Sequence, residues 1–111
     1  MPNDQTTSRI RALNDTLRKT LLGGKIMMTQ GVSALGPIQI SRLIEKLRAF
    51  DQFETENDPY GEHDFGAFDD EGQKFFWKID YYDPSLTYHS DDASDPEKTV
   101  RVLTIMRADE Y

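Results

Sequence analysis

The sequence predicts an α+β fold: a two-layer domain with a mostly antiparallel four-stranded sheet and two helices packed on one face. Three observations predict it. Ile10, Leu13, Leu17 and Leu21, and again Ile40, Leu43, Ile44, Leu47 and Phe50, recur at three- and four-residue steps, the period of an amphipathic helix. The runs His63 to Phe68 and Lys74 to Tyr82 flank Asp69-Asp70-Glu71-Gly72, a hairpin signal with glycine at the left-handed position. Thr99 to Met106 is apolar on both faces through Val100, Val102, Leu103, Ile105 and Met106, as a central strand requires. The resulting order, α-β-α-β-β-β, places helices on one side of a sheet.

The chain in order supplies the detail. Residues 1–5 are expected to be disordered. The first helix is expected from about Thr6 to Leu22, capped by Thr6, Thr7 or Ser8 and stopped by Gly23-Gly24, with Arg9, Arg11, Arg18 and Lys19 on its outer face. Lys25 to Gln30 reads as a strand buried on both faces, and Gly31 to Gly36 as a connection. Pro37 suits the first position of the second helix, which runs to about Phe50. Asp51 to Gly61 is a polar loop whose turn chemistry is Asn57-Asp58-Pro59-Tyr60-Gly61. In the hairpin, Phe75, Trp77, Ile79 and Tyr81 alternate with Phe76, Lys78, Asp80 and Tyr82, so the first set is the core face. Asp83 to Lys98 is a long acidic connection before the last strand.

Length and composition bound the function. The 111 residues fit one domain, 1–111, with 37% hydrophobic and 11% aromatic residues to build its core. There are no cysteines, which excludes disulfides and thiolate metal sites. No stretch approaches the roughly 20 apolar residues of a membrane span and no apolar signal segment opens the chain, so the expected location is the cytoplasm, with no membrane partner. The net charge of −7 is unevenly spread. Residues 1–50 hold eight Lys/Arg and three acids, +5, whereas residues 51–111 hold five Lys/Arg and seventeen acids, −12. Such a balance bears on partners and association rates rather than on fold, and argues against direct nucleic-acid binding.

Motifs for chemistry are few. Glu62-His63-Asp64 is the most suggestive triplet, but in an extended chain Glu62 and Asp64 face one way and His63 the other. A general base at His63 would need a partner such as Asp80, Asp83, Tyr81 or Tyr82, and a zinc site would need ligands beyond the one other histidine, His89. The plainer reading is a histidine hydrogen-bonded to loop backbone at the start of a strand. Asp91, Asp92 and Asp95 lack the calcium-loop spacing and its terminal glutamate, and Gly23-Gly24-Lys25 lacks the rest of a phosphate loop. Neither a metal nor a cofactor is expected.

Three long motifs in order carry a family resemblance: Asn57 to Gly66, Trp77 to Asp83 and Arg101 to Met106, with Asn14-Asp15, Arg18-Lys19-Thr20 and Thr29-Gln30-Gly31-Val32 upstream. This pattern closely resembles a bacterial domain of unknown function, family 3768, over nearly the whole chain. The resemblance implies no activity and no catalytic residues. It implies short stand-alone proteins, often encoded on plasmids and other mobile elements. The expected function is therefore a small acidic binding protein, an inhibitor of a host defence complex of the anti-CRISPR or anti-restriction type. It would dock on a basic or nucleic-acid-binding protein through Asp69, Asp70 and Glu71 at the hairpin tip and Asp91, Asp92 and Asp95 in the later loop. The alternative is a hydrolase or metal-dependent enzyme built on Glu62, His63, Asp64 and Asp80. A homodimer through the aromatic face of Phe76 and Tyr82 is compatible with either.

Overall fold

The computed structural model describes residues 4–111. Its elements are α1 (Asp4–Thr20), β1 (Lys25–Met28), α2 (Gln30–Ser33), α3 (Pro37–Ala49), β2 (Phe65–Asp70), β3 (Gln73–Tyr82), β4 (Val100–Arg107) and a final 3-10 turn, Ala108–Glu110. The α+β class and the central place of the last strand agree with the expectation. Sheet order is β1-β4-β3-β2, and the sheet is mixed: β2 with β3 and β3 with β4 are antiparallel, whereas β1 with β4 is parallel. β4, last in the chain, inserts between β1 and β3, which explains why its residues are apolar on both faces.

Several boundaries differ. Residues 1–3 of the expected disordered start lie outside the described residues, and Asp4 and Gln5 already belong to α1. The residues expected to cap that helix, Thr6, Thr7 and Ser8, therefore lie inside its first turns. It also ends before the glycines, at Leu21 in the left-handed region (φ 63), whose N–H closes the last turn on Leu17 O at 2.8 Å. β1 is an edge strand, half-exposed along its length rather than buried on both faces, because among the described residues nothing pairs beyond it. Gln30–Ser33 forms a helical turn where a connection was expected. The carboxylate of Glu110 accepts from Thr29 Oγ1 (2.7 Å) and Gly31 N (2.9 Å), so the end of the chain ties down the start of that turn.

The core lies between the helices and one face of the sheet. Leu17 from α1, Val32 from α2, Leu43 and Leu47 from α3 and Phe50 just past its end pack on Phe75, Trp77, Ile79, Leu103 and Ile105. Period-2 alternation in β3 supplies the sheet side of this layer, as expected. Across the hairpin, Gly66 pairs with Trp77, and any Cβ at residue 66 would meet the Phe50 ring at 2.7 Å. The hairpin itself turns on Glu71 and Gly72, both at positive φ (52° and 78°), so the strands run to Asp70 and Gln73. On the opposite face, Phe76 packs against Phe65 and Tyr111 of the same chain at 5.3 and 5.4 Å between ring centres. Within a single molecule, the aromatic face considered for a homodimer is thus partly covered by the chain's own C-terminus.

Candidate functional site

The inward stripe of α1 is not purely apolar. Asn14 and Arg18 follow Ile10 at four-residue steps, and both are buried (0% and 1% exposed). Arg18, expected on the outer face, instead donates through Nη1 to the Leu47 and Arg48 carbonyls (3.3 and 3.2 Å) at the end of α3. Leu47 O also receives the Phe50 N–H at 3.3 Å, and the guanidinium completes the cap at the helix's negative pole. Arg48 answers by donating to Lys19 O at 2.7 Å, near the end of α1.

Asn14 is the centre of a second set of contacts. Its Nδ2 donates to Glu62 O (3.0 Å) and Tyr81 Oη (2.8 Å), and its Oδ1 accepts from Arg101 Nε at 2.7 Å. Tyr81 passes the chain on, donating to Glu62 Oε1 at 2.8 Å. Burial, assisted by the Glu62 acceptor, holds the Tyr81 hydroxyl above its ordinary range and keeps it protonated as that donor. Arg101 lies over the Tyr81 ring and donates to Ala93 O, and burial lowers its pKa. Helix, loop, β3, β4 and the acidic connection are joined in this way by one amide side chain.

His63 belongs to a neighbouring cluster. Its backbone is left-handed (φ 57), so Glu62-His63-Asp64 is not extended. Its ring stacks on Phe53 at 3.7 Å, with Nδ1 at 2.8 Å from Asp15 Oδ1 and Nε2 at 3.6 Å from Asp58 Oδ2. Asp15 also receives Arg18 Nη2 at 3.2 Å, and Asp58 Oδ1 receives the His63 N–H at 3.0 Å. Asp15 thus fastens His63 and the 51–64 loop to α1, while Asp58 braces His63 within the loop; sequence reading assigned neither aspartate to it. The four residues of the enzyme alternative do not converge on one point: Glu62 bonds Tyr81, His63 bonds Asp15, and Asp64 and Asp80 line a cleft, with Glu62 and Asp80 near enough to act on the Asp64 carboxyl. Among the described residues, no three His, Asp or Glu side chains converge as a metal site.

Asp64 is half-buried, and its pKa is pushed up to about 6, by burial first and then by Glu62, Asp58 and Asp80. In the unfolded chain it would titrate near 3.9. Between these values the folded state holds the proton more tightly, so the contribution of Asp64 to stability falls as pH rises from about 4 to 6, then stays level. Asp64→Asn is therefore expected to stabilise the protein at pH 7, by on the order of 1–2 kcal/mol after discounting for its exposed portion, and to have little effect near pH 4. Urea unfolding of both proteins at the two pH values checks this; an equal difference at both would show that the carboxyl is unperturbed.

The acidic residues expected to meet a partner divide into two groups. Asp70, 3% exposed, accepts from Arg42 Nε (2.9 Å) and Nη2 (3.0 Å), Gln39 Nε2 (3.1 Å) and Lys46 Nζ (2.9 Å). The Arg42 hydrogen bond leads these in holding its carboxyl well below the usual range. Asp70 therefore fastens the hairpin to α3, and its neutralisation would disturb the fold. Asp69 and Glu71 remain exposed at the tip, Glu71 with one ion pair to Arg42 at 3.1 Å.

The 83–98 connection is a built loop. Asp83 Oδ1 accepts from Thr87 N (3.0 Å) and Tyr88 N (3.2 Å), and its carboxylate also accepts from Ser85 Oγ. Leu86 is held in the left-handed region (φ 60), with its N–H on Asp83 O at 2.9 Å. Asp92 accepts from Ser94 N (3.0 Å) and Oγ (2.6 Å), and Asp95 from Glu97 N (2.9 Å), while Asp91 is exposed. At the tip Leu86 and Tyr88 stand out into solvent, 44% and 72% exposed.

Together these contacts define a small two-layer α+β protein in which buried polar side chains lock loops to helices, leaving an acidic loop with an apolar tip on its surface. The family model described as "Protein of unknown function (DUF3768)" matches residues 28–110, and the chain belongs to that family. The matched span holds Asp58, Glu62, His63, Tyr81 and Arg101; their partners Asn14, Asp15 and Arg18 precede it. No curated protein and no solved structure matches the chain.

Proposed function

We propose that this is a binding protein that docks on a basic protein surface, and that the docking element is the 83–98 loop. The observation that carries this reading is the tip of that loop, where two apolar side chains, Leu86 and Tyr88, are exposed on a backbone already fixed by Asp83 and strained at Leu86. Strain of this kind persists only where surrounding contacts impose it, and it gathers at binding elements. A pre-ordered tyrosine loses little freedom on binding, which is why such residues anchor interfaces. Around the tip, five acids against one lysine in residues 83–98 leave the loop at −4, a field that would speed encounter with a cationic partner. The mobile-element setting implied by the family resemblance makes an inhibitor of a host defence complex, anti-CRISPR or anti-restriction, the particular form proposed.

The test is a plasmid-transformation assay in hosts with an active CRISPR or restriction system, with and without the protein. Expression is expected to raise transformation, and Tyr88→Ala combined with Leu86→Ala to abolish the gain while circular dichroism and melting stay unchanged. Asp91→Asn with Asp95→Asn is expected to weaken it through slower association, an effect that raised salt reproduces in the wild type. No gain in any such host would remove the defence-inhibitor form. A gain that survives the double substitution at the tip would remove the loop as the docking element.

A further inference from the structure

The paired edge of β3 changes partner between Ile79 and Tyr81. Ile79 N donates to Asp64 O at 2.8 Å, and Ser90 N donates to Tyr81 O at 3.0 Å. Between these contacts opens a cleft of about 330 Å³ lined by Asp64, Ile79, Asp80, Tyr81, Tyr82 and His89. We propose that this cleft receives the guanidinium of an arginine side chain from the basic surface on which the protein docks, an assignment that rests on the docking reading above.

Three features favour a planar organic cation. The Asp64 carboxylate forms no ion pair with any described residue, and the carboxylates of Glu62, Asp58 and Asp80 act on it. Asp80 has a cation within reach, Lys78 Nζ at 3.0 Å, but both side chains are more than one-third exposed, so this pair is readily shared or exchanged. Two tyrosines and a histidine line it, the Tyr81 ring already carrying Arg101, and a guanidinium stacks on such rings more readily than a hydrated ammonium does. The site also adjoins the proposed docking loop, since His89 belongs to both. A bound cation would stabilise ionised Asp64 and draw its pKa down from about 6.

The probe is N-acetyl-arginine amide, titrated into the full chain and followed by amide and side-chain carboxyl NMR, with N-acetyl-citrulline amide as the uncharged isostere. Saturable shifts are expected at Asp64, Asp80, Tyr81, Tyr82 and His89 with the arginine probe alone. Affinity is expected to be about tenfold weaker at pH 5 than at pH 7, because Asp64 holds its proton at the lower pH. Asp64→Asn, which should fold at least as well as the wild type, is expected to weaken binding about tenfold. Shifts spread over the acidic surface without saturation, equal shifts with citrulline, or unchanged binding in Asp64→Asn would each overturn the assignment. These measurements need no partner: a cleft that takes no cation leaves the docking loop standing, and a loop that fails in the transformation assay leaves the cation site standing.

Discussion

Trp77→Ala is expected to destabilise the protein by about 3–5 kcal/mol, a large part of the 5–15 kcal/mol that holds an ordinary domain together. Trp77 is 0% exposed, meets Phe50 and Phe53 edge-to-face with ring centres 5.5 and 6.1 Å away, and fills the space left by Gly66. Truncation would remove the largest buried side chain and leave a void between the sheet and the end of α3. Trp77→Phe should cost much less. It keeps the ring contacts, and the indole Nε1 it removes has no hydrogen-bond partner among the described residues. Urea unfolding followed by circular dichroism measures both. As the only tryptophan, Trp77 should also emit as a buried indole in the native protein, and solvent-like emission would contradict its place in the core.

Asn14→Ala is expected to cost about 3 kcal/mol, although it deletes only a small side chain. It would leave the Arg101 Nε, the Tyr81 hydroxyl and the Glu62 carbonyl each without one of its contacts. A buried polar group deprived of its partner costs about 1–3 kcal/mol, more when charged. The loss should be non-additive with Tyr81→Phe, because both residues serve the same network, with a coupling of about 0.5–3 kcal/mol in a double-mutant cycle. If the two losses simply add, the network is no more than a set of separate contacts.

Much of the architecture was legible because periodicity reports burial directly. Alternation in β3 identified Phe75, Trp77 and Ile79 as core, and the three- and four-residue steps in α3 identified Leu43 and Leu47. The candidate site was less legible. Glu62-His63-Asp64 drew notice as a triplet, but around the left-handed backbone at His63 the three side chains differ in role: Glu62 bonds Tyr81, His63 bonds Asp15, and Asp64 has no ion-pair partner among the described residues. Asn14 and Arg18 were readable in principle. They fall on the stripe of Ile10, Leu17 and Leu21, and polar residues on an apolar stripe mark buried partners. Charge type hid this in Arg18, which reads as a surface residue until the carbonyls of α3 are placed beside it.

The amino-acid pattern by itself determined the α+β class, the hairpin and its core face, the central last strand and the family, because these depend on local period, turn chemistry and motif order. Only the tertiary structure decided that β1 lies parallel to β4 at the sheet's edge, that Asp70 is an internal anchor while Asp69 and Glu71 face solvent, and that Asp64 stands unpaired in a cleft. Each of these depends on which distant group arrives at a given carboxylate or strand edge. Arg42 and Lys46 reach Asp70 from about thirty residues away, and no local pattern records such an encounter. The physical reason is that a charge's role is set by its surroundings: the same aspartate side chain is held ionised beside a guanidinium and pushed toward its proton by burial and by other carboxylates.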